Sequence, residues 1–287
     1  KSRYQKNMLR LREREYTLAE KMVAGEVKSV WYNWVSAWQK YQLIREEDSI
    51  YKEFLRAVRL KYETGEISQL TRSVAETQAM NIGQKLTEFE LEVADYEQQL
   101  KTLTGFQQPF IPANNAKKAP MPEGLADSLT EDVPRLEYLQ TKTDLMDAAV
   151  KMESNKHLPD ISVGYFNQTI DKIEGFEGWR VGVSFPIWFW SQSGQVQAAK
   201  LQREQASNDY LYELKRVETE VSKLRQTANR YRLLLEQYES QTLAQANQII
   251  RDSYTSLQEG EVSFFLFFFI FSHAYEINTN YFKLLNK

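Results

Sequence analysis

Apolar side chains recur along this chain at two different periods. From residue 210 they fall at Tyr210, Leu214, Val217, Val221, Leu224, Ala228, Tyr231, Leu235 and Tyr238. The steps alternate four and three, a period of 3.5 that makes a coiled-coil seam with a left-handed supercoil. An earlier seam runs through Val27, Trp31, Trp34, Trp38, Tyr41, Ile44, Asp48, Tyr51, Leu55, Val58 and Tyr62, with one repeated step of three at Ile44. Its heavy aromatic filling suits a bundle in which one large side chain meets several neighbours. Between residues 159 and 189 the period becomes two. Ile161, Val163 and Tyr165 alternate with Ser162, Gly164 and Phe166, and Trp179, Val181, Val183 and Phe185 alternate with Arg180, Gly182 and Ser184. This predicts a hairpin of two strands of about 10 residues, one face apolar and the other mostly small or polar. A two-stranded hairpin alone is marginal in water, so these strands must join others. The apolar face suits either a small soluble sheet packed on the helices or the lipid face of a β-barrel, and alternation leaves both open.

Helix breakers sharpen the element boundaries. Residues 1–64 hold no Pro and one Gly, residues 66–104 hold no Pro and one Gly, and residues 195–259 hold neither. Since Pro breaks helices and Gly weakens them, these stretches are predicted helices. The last would be roughly 98 Å long at ~1.5 Å per residue, a length suited to a coiled coil or long bundle. Four of the seven prolines (Pro109, Pro112, Pro120, Pro122) mark an irregular connector over 105–133. Pro134 opens a shorter helix over 134–156, with Leu136, Leu139, Leu145, Ala149 and Met152 available to one face.

The chain also repeats itself. Gly65-Glu66-Ile67-Ser68 closes the first long stretch and Gly260-Glu261-Val262-Ser263 the last, at an offset of 195. Both glycines stand where a left-handed residue would end a helix, and both serines where the next helix would be capped. Upstream, Val27, Val30, Trp34, Ala37, Tyr41 and Ile44 fall on Val221, Leu224, Ala228, Tyr231, Leu235 and Tyr238 at an offset of 194; Arg56 and Arg251 match at 195. Two copies of a long helix, a tight turn and a returning helix follow. The first copy takes residues 1–104. The second takes 134–287: helix 134–156, strand hairpin 159–189, long helix 192–257, tip turn 258–262 and returning helix 263–287.

Composition removes several classes. With 36 Lys and Arg against 39 Asp and Glu, the net charge of −3 argues against nucleic acid as a partner. The absence of Cys excludes a disulfide scaffold or a thiolate zinc site. Mean hydropathy is −0.56 and no apolar run reaches about 18 residues, so no transmembrane helix is expected. His157 and His273, the only two histidines, are not at metal-ligand spacing, the methionines are scattered, and nucleotide or hydrolase loops are missing. Neither an enzyme nor a cofactor is indicated. The run Phe264-Phe265-Leu266-Phe267-Phe268-Phe269-Ile270-Phe271 is apolar around the whole helix, which implies burial or an adhesive end.

The order of these pieces carries a resemblance. A short helix leads into Leu158-Pro159-Asp160-Ile161-Ser162-Val163-Gly164-Tyr165. The second strand is Gly178-Trp179-Arg180-Val181-Gly182-Val183-Ser184-Phe185-Pro186-Ile187, and a very long helix, a Gly-Glu turn and a returning helix follow. The chain resembles the TolC family of outer-membrane efflux proteins, within it the heavy-metal (CusC/CzcC-like) branch, over nearly its whole length. The implied fold is mainly α: long antiparallel coiled-coil helices forming a tunnel, plus strands of a trimeric transmembrane β-barrel. The resemblance implies an outer-membrane duct of a Gram-negative bacterium with a periplasmic helical tunnel. It would be a homotrimer that passively exports substrate, heavy-metal cations among the candidates. That substrate comes from an inner-membrane RND-type pump and a periplasmic adaptor.

On this basis Gly65, Glu66, Gly260 and Glu261 are expected at the adaptor-facing tip, although helix capping alone accounts for the glycines. Ile161, Val163, Tyr165, Trp179, Val181, Val183 and Phe185 are expected to face outer-membrane lipid, and Ser162, Gly164, Arg180, Gly182 and Ser184 the lumen. The sequence departs from the pattern twice. It opens inside the first long helix, which implies an upstream part with a further strand pair. Leu266 and Phe269 stand where family members often carry acidic gate residues. A coiled-coil scaffold and a periplasmic adaptor subunit are the alternative functions.

Overall fold

The structure, a computed structural model, describes residues 2–109, 133–156, 158–170, 173–184 and 189–285. Most of the 105–133 connector, His157 and Phe185 lie outside the described residues. In chain order the elements are α1 (Ser2–Glu63), α2 (Gln69–Thr104), α3 (Pro134–Asn155), β1 (Asp160–Ile170), β2 (Ile173–Ser184), α4 (Phe189–Gln237), a π-turn (Tyr238–Thr242), α5 (Leu243–Gln258) and α6 (Phe264–Leu285). The expected fold class is observed: long joined helices plus one antiparallel hairpin.

The chain forms two compact units that cut across the sequence repeats. One comprises residues 1–21 and 126–222, the other 22–125 and 223–287. In the first, α3 lies between the start of α1 and α4, burying Leu136, Leu139, Leu145 and Ala148. Ala148 takes the interior place expected for Ala149. Ion pairs tie the flanks: Arg14 to Glu137 (2.6 Å), Arg203 to Asp147 (2.8 Å) and Lys142 to Asp209 (3.2 Å). Such exposed pairs contribute little each, about 0–1 kcal/mol, and chiefly fix orientation.

The second unit has two apolar clusters. One gathers Val30, Trp34, Ala37, Val93 and Leu100 between α1 and α2. The other joins α1, α2 and α6 through Ile44, Tyr51, Val58, Ala75, Ile82, Phe267, Phe268, Phe271 and Tyr275. The seam of α1 differs from the expected one. Val30, Ala37, Ile44, Tyr51 and Val58 are buried at intervals of seven, while Trp31 is 37% exposed. The seam therefore runs uninterrupted through Val30 and Ala37, and the repeated step of three at Ile44 disappears. The physical reason is size. Trp34 already fills the interface, fully buried, and the rings of Trp31 and Trp38 flank it at 5.2 and 6.3 Å.

The second long helix is also corrected. Instead of one helix over 192–257, a π-turn interrupts it at Tyr238–Thr242, where the Leu243 N–H donates to the Tyr238 carbonyl. Leu224, placed in the seam by spacing, is 55% exposed. Beyond the turn the buried positions resume at Ala246 and Ser253. The Phe-rich run also has a sidedness that composition hid. Phe267, Phe268 and Phe271 are buried, while Phe265, Leu266 and Phe269 are exposed.

Candidate functional site

Two places hold the residues singled out in the sequence, the pair of tip turns and the strand hairpin. The tip turns have the same geometry. At the first, the Gly65 N–H donates to the Tyr62 carbonyl (3.0 Å) and the Glu66 N–H to the Lys61 carbonyl (2.8 Å). At the second, Gly260 donates to Leu257 (3.2 Å) and Glu261 to Ser256 (2.9 Å). These are the paired bonds of a Schellman ending. They require a left-handed residue at the glycine, and φ is +77° at Gly65 and +78° at Gly260. The next helices are capped alike: Ser68 Oγ accepts from the Thr71 N–H and Ser263 Oγ from the Leu266 N–H, both at 3.2 Å.

Both glutamates are exposed beside their turns. Glu66 accepts a hydrogen bond from Thr64 Oγ1 (2.9 Å), and Glu261 accepts one from Ser256 Oγ (3.1 Å). Ile67, Leu257, Val262 and Phe264 pack against the larger apolar cluster, and Lys61 Nζ sits 5.5 Å from the Phe264 ring centre. The two turns are thus held by one shared core, with their polar groups outside it.

The hairpin register sorts the strand residues by face. Ile161 pairs with Val183, Val163 with Val181 and Tyr165 with Trp179. The rings of Tyr165 and Trp179 are 5.3 Å apart. The next pair on that face is polar, with Asn167 Nδ2 donating to Glu177 Oε1 (3.3 Å). Among the described residues no element covers the apolar pairs: Trp179 is 73% and Val181 69% exposed. An aromatic pair between an apolar band and a polar rim is the pattern of a strand crossing a bilayer interface.

The other face pairs Asp160 with Ser184, Ser162 with Gly182, Gly164 with Arg180 and Phe166 with Gly178. Phe166 was not among the expected functional residues, although its even position in the alternation places it here. Its ring lies across Gly178, where an added Cβ would meet it at 2.8 Å, and the Arg180 guanidinium stands 5.9 Å from its centre. This face therefore presents hydroxyls, bare backbone and one cation resting on an aromatic ring.

Among the described residues, no group of three or more His, Cys, Asp or Glu could hold a metal ion. His273 is exposed, with Nδ1 4.0 Å from Glu276. A polar cavity of about 430 Å³ between α1 and α3 is lined by Asn7, Arg10, Glu13, Arg14, Thr17, Thr141 and Asp144. No described helix is long and apolar enough to cross a membrane.

No protein-family model and no curated protein matches the sequence. Solved structures do match in fold. The CmeC outer membrane channel of Campylobacter jejuni superposes with a TM-score of 0.86 at 18% identity, over 99% of this chain and 63% of that one. The open-state MtrE outer membrane channel of Neisseria gonorrhoeae gives 0.83 at 14% identity, over 99% of this chain and 67% of that one. CusC, described in connection with transmembrane channel formation, gives 0.77 at 15%, over 99% and 71%. The chain thus has the fold of outer-membrane channels and spans less than two thirds of CmeC. The likeness does not single out the heavy-metal branch, since CmeC and MtrE superpose more closely than CusC.

Proposed function

We propose that this chain is part of an outer-membrane duct. As a homotrimer it would carry substrate passively from an inner-membrane RND-type pump and a periplasmic adaptor. The hairpin carries this reading: every apolar side chain described there, up to the polar pair Asn167–Glu177, lies on one uncovered face, apart from Phe166. Ile161, Val163, Tyr165, Trp179, Val181 and Val183 face lipid in this scheme, with Phe185 continuing the series. Ser162, Gly164, Arg180, Gly182 and Ser184 face the lumen. Gly65, Glu66, Gly260 and Glu261 form the periplasmic tips, where exposed carboxylates beside rigid turns offer the adaptor charged contacts.

The test is a paired substitution on opposite faces. A charge on the lipid face of a strand costs about 2–4 kcal/mol at mid-membrane for a cation, less for an acid, and little on the lumen side. Val181→Asp should remove the protein from outer-membrane fractions and abolish single-channel conductance, while Ser162→Asp should insert normally. Equal insertion of both variants refutes the assignment.

The resemblance to the heavy-metal branch makes metal cations one cargo to test. A second cargo class, uncharged or anionic organic solutes, is favoured by Arg180 on the polar face and by apolar Leu266 and Phe269. Export assays with a divalent metal and with an organic dye decide between them.

A further inference from the structure

The two repeats differ by one residue, and the structure locates it. Their seams align at an offset of 194 up to Ile44 and Tyr238, and at 195 from Arg56 and Arg251 onward. The second repeat has therefore gained one residue between Tyr238 and Arg251. The π-turn begins at Tyr238. A π-turn takes one more residue than an α-turn, so it absorbs the insertion and returns the chain to register. Beyond the turn the buried positions agree: Tyr51 and Val58 of α1 correspond to Ala246 and Ser253 at the new offset, and all four are buried. The unbroken α1 is an internal reference for what the second repeat would be without the insertion.

The inserted turn is mechanically distinct from its surroundings. None of its five residues is buried, whereas Leu235 before it and Ala246 after it are. Kinks in helices concentrate at such places because the hydrogen-bond ladder is already broken. Beyond it, α5 and α6 form one packed hairpin ending in the second tip turn, with Asn278 Nδ2 donating to Asn247 Oδ1 (3.4 Å). Across the turn itself, Tyr281 Oη of α6 donates to Glu239 Oε1 (3.0 Å), and the Tyr281 ring lies 6.4 Å from that of Tyr238. Burial and the adjacent carboxylate push the Tyr281 phenol up to about 12, so it remains a proton donor.

We infer that the Tyr238–Thr242 π-turn is a hinge on which the α5–α6 hairpin swings, and that the Tyr281–Glu239 hydrogen bond is its latch. Its role, controlling passage at the second tip, rests on the duct reading above.

The test is amide hydrogen exchange on the full chain in detergent, with wild type, a Ser240 deletion and Tyr281→Phe. Wild-type exchange at residues 239–245 should exceed that of the corresponding 44–50 stretch of α1 by about tenfold. Deleting Ser240 should convert the turn to α-helix, leave Ala246 and Ser253 in the seam, and slow exchange to the α1 rate. Tyr281→Phe should speed it by about threefold or more, the scale of one lost hydrogen bond. Equal wild-type rates in the two stretches, or a folded deletion variant that still exchanges fast, overturns the hinge. So does a deletion variant that cannot fold, because a turn that merely absorbs an extra residue tolerates its removal. An unchanged rate in Tyr281→Phe overturns the latch. Single-channel recording separates this inference from the duct: exchange altered without conductance defeats the duct alone, and conductance with exchange unaltered defeats the hinge alone.

Discussion

The Phe-rich run offers a sharp test of the helix packing, because adjacent identical residues have opposite surroundings. Phe267 is fully buried, with its ring centre 4.4 Å from Phe54, 5.7 Å from Phe268 and 5.1 Å from Phe271. Truncating a buried Phe to Ala costs about 3–5 kcal/mol, and well-formed aromatic pairs place this site toward the upper end. Phe269, two residues on, is 67% exposed. Its truncation should stay within about 0.5 kcal/mol. Urea titration of the purified chain, followed by far-ultraviolet circular dichroism, measures both. Phe267→Ala should shift the unfolding equilibrium by about a thousandfold, since each 1.4 kcal/mol is a factor of ten. The reasoning is refuted if Phe269→Ala costs as much as Phe267→Ala, or if Phe267→Ala costs less than about 1 kcal/mol, below the range for a buried aromatic.

Other outcomes follow from single sites. At Gly65 and Gly260 an added Cβ meets nothing within 4 Å, so Gly→Ala should cost only the left-handed backbone penalty, about 1–2 kcal/mol. Asn at either site should recover part of that loss in a thermal melt, because it tolerates the same conformation. Burial pushes the Glu47 carboxyl up to about 7, with Lys85 of α2 pulling it down. Glu47 also faces Tyr51 on its own helix and Tyr275 of α6, whose hydroxyls burial and this carboxylate hold up. The folded chain therefore keeps a proton that the unfolded chain releases above its ordinary value of 4.5. The stability from this proton is complete below about pH 4.5 and is lost as pH rises through about 7, on the order of 3 kcal/mol in all. Glu47→Gln should flatten that part of the pH–stability curve, and an unchanged slope would count against it.

What could be read from the sequence was what local chemistry decides. The tip turns follow from Gly and Ser at fixed places, since a left-handed φ and a capping hydroxyl are properties of single residues. The strand faces follow from alternation, because a period of two leaves no other arrangement. The unread parts depend on partners. Trp31 and Val30 fit the α1 seam equally by spacing, and the room left beside Trp34 decides for Val30. The buried side of α6 is set by α1 and α2, so a run of phenylalanines carries no mark of it. The π-turn lies between these cases: a change of repeat offset from 194 to 195 announces an inserted residue, but only the hydrogen bond from Leu243 to Tyr238 shows how the helix absorbs it.

Among the described residues the β1–β2 sheet has two strands, so in the single chain both outer rims carry unpaired backbone groups. The helices pack through contacts within the one chain and can form at any dilution. The strands gain most of their stability only when another strand arrives. Where that strand comes from another chain, their folding is a reaction of higher order than one, with a midpoint set by chain concentration. Chain concentration then enters the stability of this part of the molecule as directly as any side chain. A chain diluted below that threshold keeps its helices and leaves open an adhesive strand edge.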